Sequence, residues 1–215
     1  MTSSTRQVIA RLTLTASLAA VLTACVPAIM GGAMMGTALV ASDRRTSGAQ
    51  LEDEGVELRS ASRIQDSLGD RVHVNITSYN RRVLITGEVP SVQDRQLVEQ
   101  IVSRVDNVQA VVNELAVLGN STLSQRSSDT LVTGRVKAGM VDAKDLFANA
   151  FKVVTERGVT YLMGRVTQRE ADSASEVART TQGVQKVVRL LDIISEDELR
   201  RLLPKPAPGP SNSKP

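Results

Sequence analysis

The sequence predicts an α+β protein with two tandem αββαβ modules, each a three-stranded mixed sheet with two helices packed on one face. The first observation behind this prediction is an internal repeat: residues 83–89 reappear as residues 160–166, and residues 108–115 reappear as residues 184–191. The second is that strand-like alternation and helix-like spacing follow one another in the same order in both copies. A repeat of this length indicates two copies of one folding unit.

The strand pairs are predicted by alternating apolar residues on either side of a short turn. The predicted hairpins run through residues 72–89 and 152–166, with turns at 79–82 and 156–158. The glycines at 87 and 164 lie inside the second strand of each pair. There they indicate a bulge or a close backbone approach rather than a functional loop.

The second helix and the last strand of each module follow from apolar spacing. After each hairpin, Ser91 or Thr167 precedes a segment with apolar or small residues at helical intervals. A third strand of nearly continuous apolar residues is predicted at 110–118 and at 186–194, as expected for a strand covered on at least one face. A strand–helix–strand connection favours a right-handed crossover to a parallel neighbour, which together with the hairpin gives a mixed sheet.

A leading helix precedes each hairpin. It is predicted at residues 54–68 in the first module and at residues 130–140 in the second. In the second module Ser128 or Asp129 would cap the first turn, because both side chains can accept a hydrogen bond from a free backbone N–H group.

The amino terminus resembles the signal peptide of a bacterial lipoprotein. Residues 12–22 are apolar or small, follow Arg6 and Arg11, and are too few to span a bilayer, which takes about 20 apolar residues. Leu22-Thr-Ala-Cys25 resembles a lipobox, in which the cysteine sulfur is the nucleophile that accepts a diacylglycerol. A buried structural cysteine and an intermolecular disulfide are the alternatives for a single cysteine in an exported chain.

The residue after Cys25 indicates the destination. Val26 in place of aspartate resembles the pattern of lipoproteins that are sent to the outer membrane. We therefore expect an acylated Cys25 that anchors the protein to the outer membrane, facing the periplasm. The expected segments are a lipoprotein signal peptide at 1–24, the acylated cysteine and a flexible tether at 25–50, the first module at 51–118, a linker at 119–125, the second module at 126–194, and a short helical extension with a proline-rich disordered tail at 195–215.

The repeated pattern resembles the BON domain. The resemblance rests on Val-x-Ile-x-Gly-x-Val at residues 83–89, followed by a helix and then Val-x-x-Val-Val-Asn-x-Leu at residues 108–115, and it covers most of residues 51–194. Two such modules after a lipobox are similar to outer-membrane lipoproteins of the DolP type.

This resemblance implies phospholipid binding rather than catalysis. In the DolP type, the leading helix of the second module meets anionic phospholipid, and the protein supports envelope integrity and localises at division sites. Other periplasmic proteins with tandem BON domains resemble helpers of outer-membrane protein assembly. A chaperone-like or assembly factor that binds outer-membrane proteins is therefore the alternative.

The residues of the second leading helix suit contact with lipid. Val132, Val136 and Met140 recur at every fourth position and form the predicted core stripe, so Leu131 should be partly exposed beside several cations. The residues expected to bind phospholipid are Leu131, Arg135, Lys137, Ala138 and Lys144. This helix often carries an aromatic residue in the family, and Leu131 lacks the amphipathic ring. A plainer interpretation is an ordinary exposed leucine on a solvated helix.

The two modules differ in charge. Residues 51–118 contain seven basic and eleven acidic side chains, whereas residues 126–194 contain eleven basic and eight acidic ones. Only the second module is therefore electrostatically suited to an anionic membrane.

Composition argues against other classes of function. His73 is the only histidine, so neither a histidine-based triad nor a histidine-rich metal site can be assembled. Asp142 and Asp145 have the spacing of a solvent-facing helix end, and we expect no enzyme activity, no cofactor and no metal. With aromatic residues at 2% and no tryptophan, there is little to stack on nucleic acid bases, so nucleic acid is not an expected partner. Phe147 and Phe151 are expected in the core, and the sequence does not indicate an oligomeric state.

Overall fold

The computed structural model describes residues 43–202. The first module consists of α1 (Ser47–Leu68), β1 (His73–Tyr79), β2 (Arg82–Val89), α2 (Val92–Ser103), β3 (Ala110–Asn113) and β4 (Ala116–Val117). The second consists of α3 (Leu123–Asp142), β5 (Phe151–Glu156), β6 (Val159–Thr167), α4 (Gln168–Thr180) and β7 (Lys186–Ile194), followed by α5 (Glu196–Leu202). Cys25, the tether before residue 43 and the tail after residue 202 lie outside the described residues. Within the described range, no helix has both the length and the apolar character needed to cross a bilayer.

Both sheets have the predicted mixed topology. In the first module β2 is antiparallel to β1 and parallel to β3 and β4. In the second module β6 is antiparallel to β5 and parallel to β7. Apolar residues from the two helices and one face of the sheet form a separate core in each module. The α+β fold with two αββαβ modules is therefore confirmed.

The last strand of the first module differs from the prediction, because it is interrupted after Asn113. The Glu114 N–H still donates to the Ile85 carbonyl oxygen at 2.9 Å, whereas the Leu115 N–H donates to the Asn113 side-chain oxygen at 3.2 Å. The resulting bend directs Leu115 into the module core, where it is 3% exposed. Pairing with β2 then resumes at Ala116.

The leading helices begin earlier than predicted. Helix α1 begins at Ser47 rather than 54, with Thr46 as its cap. Helix α3 begins at Leu123 rather than 130, because Thr122 and Gln125 form a capping box that binds the free backbone groups of the first turn. Neither Ser128 nor Asp129 is the cap, so that prediction was wrong.

An aspartate of each leading helix instead holds the hairpin turn of its module. The Asp53 carboxylate of α1 accepts hydrogen bonds from the N–H groups of Asn80 and Arg81 at 2.7 and 2.8 Å. In the second module Asp129 accepts them from Arg157 and Gly158 at 2.8 and 3.0 Å. The turn residues have positive φ, as two-residue hairpin turns of type I′ require. In each module the aspartate carboxylate thus accepts hydrogen bonds from the two N–H groups of the turn, which have no acceptor in the paired strands.

The two sheets pack against each other through the faces that the helices leave uncovered. Strand β2 directs Val83 and Ile85 toward its own module core, whereas Leu84 points the other way. There, Leu84 and Tyr79 join Tyr161 and Met163 of β6 in a third apolar cluster. The modules therefore share a buried inter-sheet layer.

The segment that precedes α1 is bound to both modules. The Arg44 guanidinium donates to both carboxylate oxygens of Glu170 at 2.8 and 2.6 Å and to the Arg165 carbonyl at 2.9 Å. This ion pair is almost completely buried, with the two side chains 3% and 0% exposed. Arg45 contacts the first module, through Asp53 at 2.8 Å and through the Tyr79 ring, whose centroid is 4.4 Å away. We call Arg44 and Arg45 the arginine clamp.

Candidate membrane-binding surface

Helix α3 packs on the second sheet through one narrow face. Val132, Val136 and Met140 are buried in the core of the second module, as the four-residue spacing predicted. The neighbouring loop between α4 and β7 approaches closely, because a Cβ on Gly183 would lie 2.5 Å from Val132 Cγ2. The helix is therefore fixed, and its opposite face points to solvent.

That opposite face is apolar or small along most of the helix. Leu123, Leu131, Gly134, Ala138 and Val141 fall within about 80° of the helix circumference, since successive residues are about 100° apart. Leu123, Leu131 and Val141 are 79%, 62% and 71% exposed. We call these five residues the outer ridge of α3. The predicted exposure of Leu131 is confirmed, and Ala138 is exposed beside it.

Cations flank the outer ridge without acidic partners. Arg135, Lys137 and Lys144 are exposed, and none of them forms a salt bridge with another residue in the range 43–202. Arg135 makes a long contact of 3.5 Å with the Gln182 carbonyl oxygen. Between Leu123 and Val141 the sequence contains a single carboxylate, Asp129, and the hairpin turn occupies it. Asp142 is the exposed last residue of α3, and Asp145 follows Lys144. The rim is therefore positive around Arg135 and Lys137 and of mixed charge near Lys144.

Three exposed apolar residues of this region were missed by the sequence analysis. Leu123 was missed because the helix start was placed seven residues too late, although the Thr122-x-x-Gln125 capping box was visible in the sequence. Val141 lies beyond the predicted helix end at 140. Phe147 was expected in the core, which is wrong: it is 49% exposed in front of the short turn Ala148–Ala150, whereas Phe151 is buried as predicted.

The leading helix of the first module provides an internal comparison. Leu51 and Leu58 of α1 are 71% and 72% exposed, somewhat more than Leu131. However, Glu52, Glu54 and Glu57 lie beside them. An anionic surface would repel this helix and attract α3, so exposed leucine alone does not distinguish the two helices.

Comparisons with known proteins agree with this architecture. The family model of the BON domain matches residues 57–119 and 128–195. The chain is 34% identical over 168 residues to a protein named outer membrane lipoprotein DolP from Haemophilus influenzae. The aligned residues make up 77% of this chain and 86% of that protein. It is 29% identical over 154 residues to a 21 kDa hemolysin of Actinobacillus pleuropneumoniae, with 71% and 79% covered. The chain therefore belongs to the BON-domain family, among the outer membrane lipoproteins of the DolP type.

Proposed function

We propose that the protein is a non-enzymatic, lipid-anchored periplasmic component of the outer membrane that binds anionic phospholipid through the outer ridge of α3. The acyl chains on Cys25 would hold it at the membrane, and the ridge would contact the bilayer directly. In this role the protein supports envelope integrity, including at division sites. The observation that carries the proposal is an exposed apolar ridge between cations that have no acidic partner in the described part of the chain.

The energetics favour a weak and reversible contact. Arg135, Lys137 and Lys144 would each contribute about 1 kcal/mol near an anionic surface. Leu131 would add about 1 kcal/mol, because a full leucine burial is worth about 1.5–3 kcal/mol and roughly two thirds of its surface is available. Salt should weaken the cationic part, since exposed charges are screened within about 10 Å at 0.1 M ionic strength.

The test is co-sedimentation with vesicles. Residues 26–215 would be used, so that acyl chains on Cys25 do not contribute, and both modules would be kept because the first covers an apolar face of the second. We expect binding to vesicles that contain phosphatidylglycerol or cardiolipin, little binding to pure phosphatidylcholine, and weaker binding at high salt.

A matched pair of variants makes the test specific. Leu131→Glu should reduce binding, whereas Leu58→Glu, at a slightly more exposed leucine of the first module, should leave it unchanged. Equal binding to phosphatidylcholine, or no difference between the two variants, would contradict the proposal. Capture of outer-membrane proteins irrespective of lipid charge would instead favour the assembly-factor hypothesis.

A further inference from the structure

Three potential metal ligands meet in the layer between the two sheets. His73 of β1 and Glu88 of β2 belong to the first module, and Glu156 of β5 belongs to the second. One ligand atom from each residue lies within 4.8 Å of the other two. The closest contact joins His73 Nδ1 and Glu88 Oε2 at 2.8 Å. Glu88 is fully buried and Glu156 is 7% exposed, so this group differs from the acidic clusters common on protein surfaces.

The carboxylates of this group are unevenly compensated. Glu88 accepts hydrogen bonds from His73 and from the Ser121 N–H, and the Arg157 guanidinium lies 3.4 Å from it. Burial raises the pKa of Glu88, but these hydrogen bonds outweigh it and hold the pKa below its usual value. Glu156, by contrast, accepts from the Asn75 amide at 2.7 Å and forms no salt bridge within the described residues.

Glu156 is therefore the side chain that lacks a cation. Burial raises its pKa, and the neighbouring charges of Glu88 and Asp129 raise it further. Arg126 also lies near, but its Nε donates to the Ser121 hydroxyl at 3.1 Å rather than to a carboxylate. The carboxylates are those of Glu88, Glu156 and Asp129, and the guanidinium groups are those of Arg126 and Arg157. The region is therefore net negative when His73 is neutral and all three acids are ionised.

The group can be reached from solvent. His73 and Glu156 line a cleft of about 340 Å³, together with Asn75 and with Arg126, Asp129, Thr130 and Thr133 of α3. Glu88 is not part of the lining and is reached through its contact with His73. An ion and its water could enter through this cleft. This access distinguishes the group from a closed structural ion-pair network.

We propose that His73, Glu88 and Glu156 bind one divalent transition-metal ion of the zinc type, which bridges the two modules. An imidazole nitrogen with two carboxylates is a donor set suited to zinc, and three protein ligands leave a fourth position for a water molecule from the cleft. The metal takes the place of the proton between His73 Nδ1 and Glu88, and the imidazole then carries its proton on Nε2. Calcium and magnesium are poor candidates because they require more oxygen ligands and do not favour imidazole.

The sequence alone argued against this site. A single histidine cannot form a histidine-rich centre, and Glu88 and Glu156 are 68 positions apart in different modules. The packing of the two sheets brings them together. A metal bound there would join β1 and β2 to β5, so it would strengthen the pairing of the modules without touching the outer ridge of α3.

The test is zinc uptake by the mature chain, purified in detergent and treated with a chelator. We expect one zinc ion per chain by calorimetry and elemental analysis, and an increase in Tm on addition of ZnCl2 but not of CaCl2. A sample of residues 26–215, which lacks Cys25, should behave identically, so that neither the cysteine sulfur nor the detergent accounts for the bound zinc. A wild-type protein that takes up no zinc would overturn the proposal.

Variants locate the ion. Glu156→Gln keeps the shape of the side chain and should weaken zinc binding by at least about 100-fold, since even residues outside the ligand set commonly contribute about 10- to 100-fold. His73→Gln should do the same, whereas Asp172→Asn, at an exposed carboxylate elsewhere, should have no effect. Circular dichroism would show that each variant is folded. Unchanged zinc affinity in folded Glu156→Gln and His73→Gln would place the ion elsewhere and refute the proposal.

Discussion

Replacement of Arg44 by methionine should be one of the most damaging single changes in the described part of the chain. The substitution removes both hydrogen bonds to Glu170 and the one to the Arg165 carbonyl, while it keeps most of the apolar volume of the side chain. Glu170 is fully buried, so its charge would lose its main compensation in a region from which water is excluded. Removal of one member of a buried ion pair typically costs about 3–5 kcal/mol. Glu170 keeps its hydrogen bonds from Thr167, which favours the lower end, about 3 kcal/mol.

Urea unfolding at pH 7, followed by circular dichroism, measures this loss. Glu170→Gln should also destabilise the protein, because it leaves the buried Arg44 without its anion. The double variant should be less destabilised than the sum of the two single variants, with a coupling energy of about 2–3 kcal/mol. A loss of less than about 1 kcal/mol in Arg44→Met, as for an exposed pair, would refute the reasoning.

Three further predictions follow from the described geometry. Gly87→Ala should reduce stability in urea by about 3 kcal/mol, because Gly87 has a φ of 113° and a Cβ there would lie 2.0 Å from the His73 carbonyl oxygen. Acid should also destabilise the protein: burial raises the pKa of Glu170 and Asp53, but hydrogen bonds from arginines and backbone N–H groups outweigh it and hold both below their usual values. In acid the unfolded state therefore binds more protons than the folded state. The stabilisation is complete well above pH 4.5, the ordinary pKa of a glutamate, and should be lost as the pH falls below that value. Urea unfolding midpoints at pH 7, 5 and 3.5 would show the loss. Val141→Asp should weaken vesicle binding by about tenfold or more without a change in Tm, because the side chain is 71% exposed and the change removes apolar contact and adds repulsion.

The module fold was predictable because each element leaves a local pattern. Alternation identified the hairpins, and the repeat showed that one unit occurs twice. The core stripe of Val132, Val136 and Met140 follows directly from helical spacing. These features depend on residues close together in the chain, so the sequence specifies them without knowledge of the partner surface.

The contacts between modules were not predictable in the same way. Leu84 and Tyr161 lie in strands that are apolar on both faces. This pattern indicates that both faces of the sheet are covered, but it does not identify the surface that covers them. Glu170 is 126 positions from Arg44, and Glu88 is 68 positions from Glu156 in the other module. Phe147 was misplaced for a related reason: it lies between a helix and a strand, where no periodicity indicates the direction of a side chain.

If Cys25 is acylated as proposed, the arginine clamp also limits how far the folded modules can lie from the bilayer. Because the clamp fixes the chain from Asp43 onward, the residues between an acylated Cys25 and the folded body number fewer than twenty. A chain of that length reaches no farther than about 60 Å even when fully extended. The outer ridge would then stay close to the lipid headgroups, at an effective concentration in the millimolar range relative to the membrane. A ridge that binds lipid only weakly on its own would still spend most of its time on the membrane.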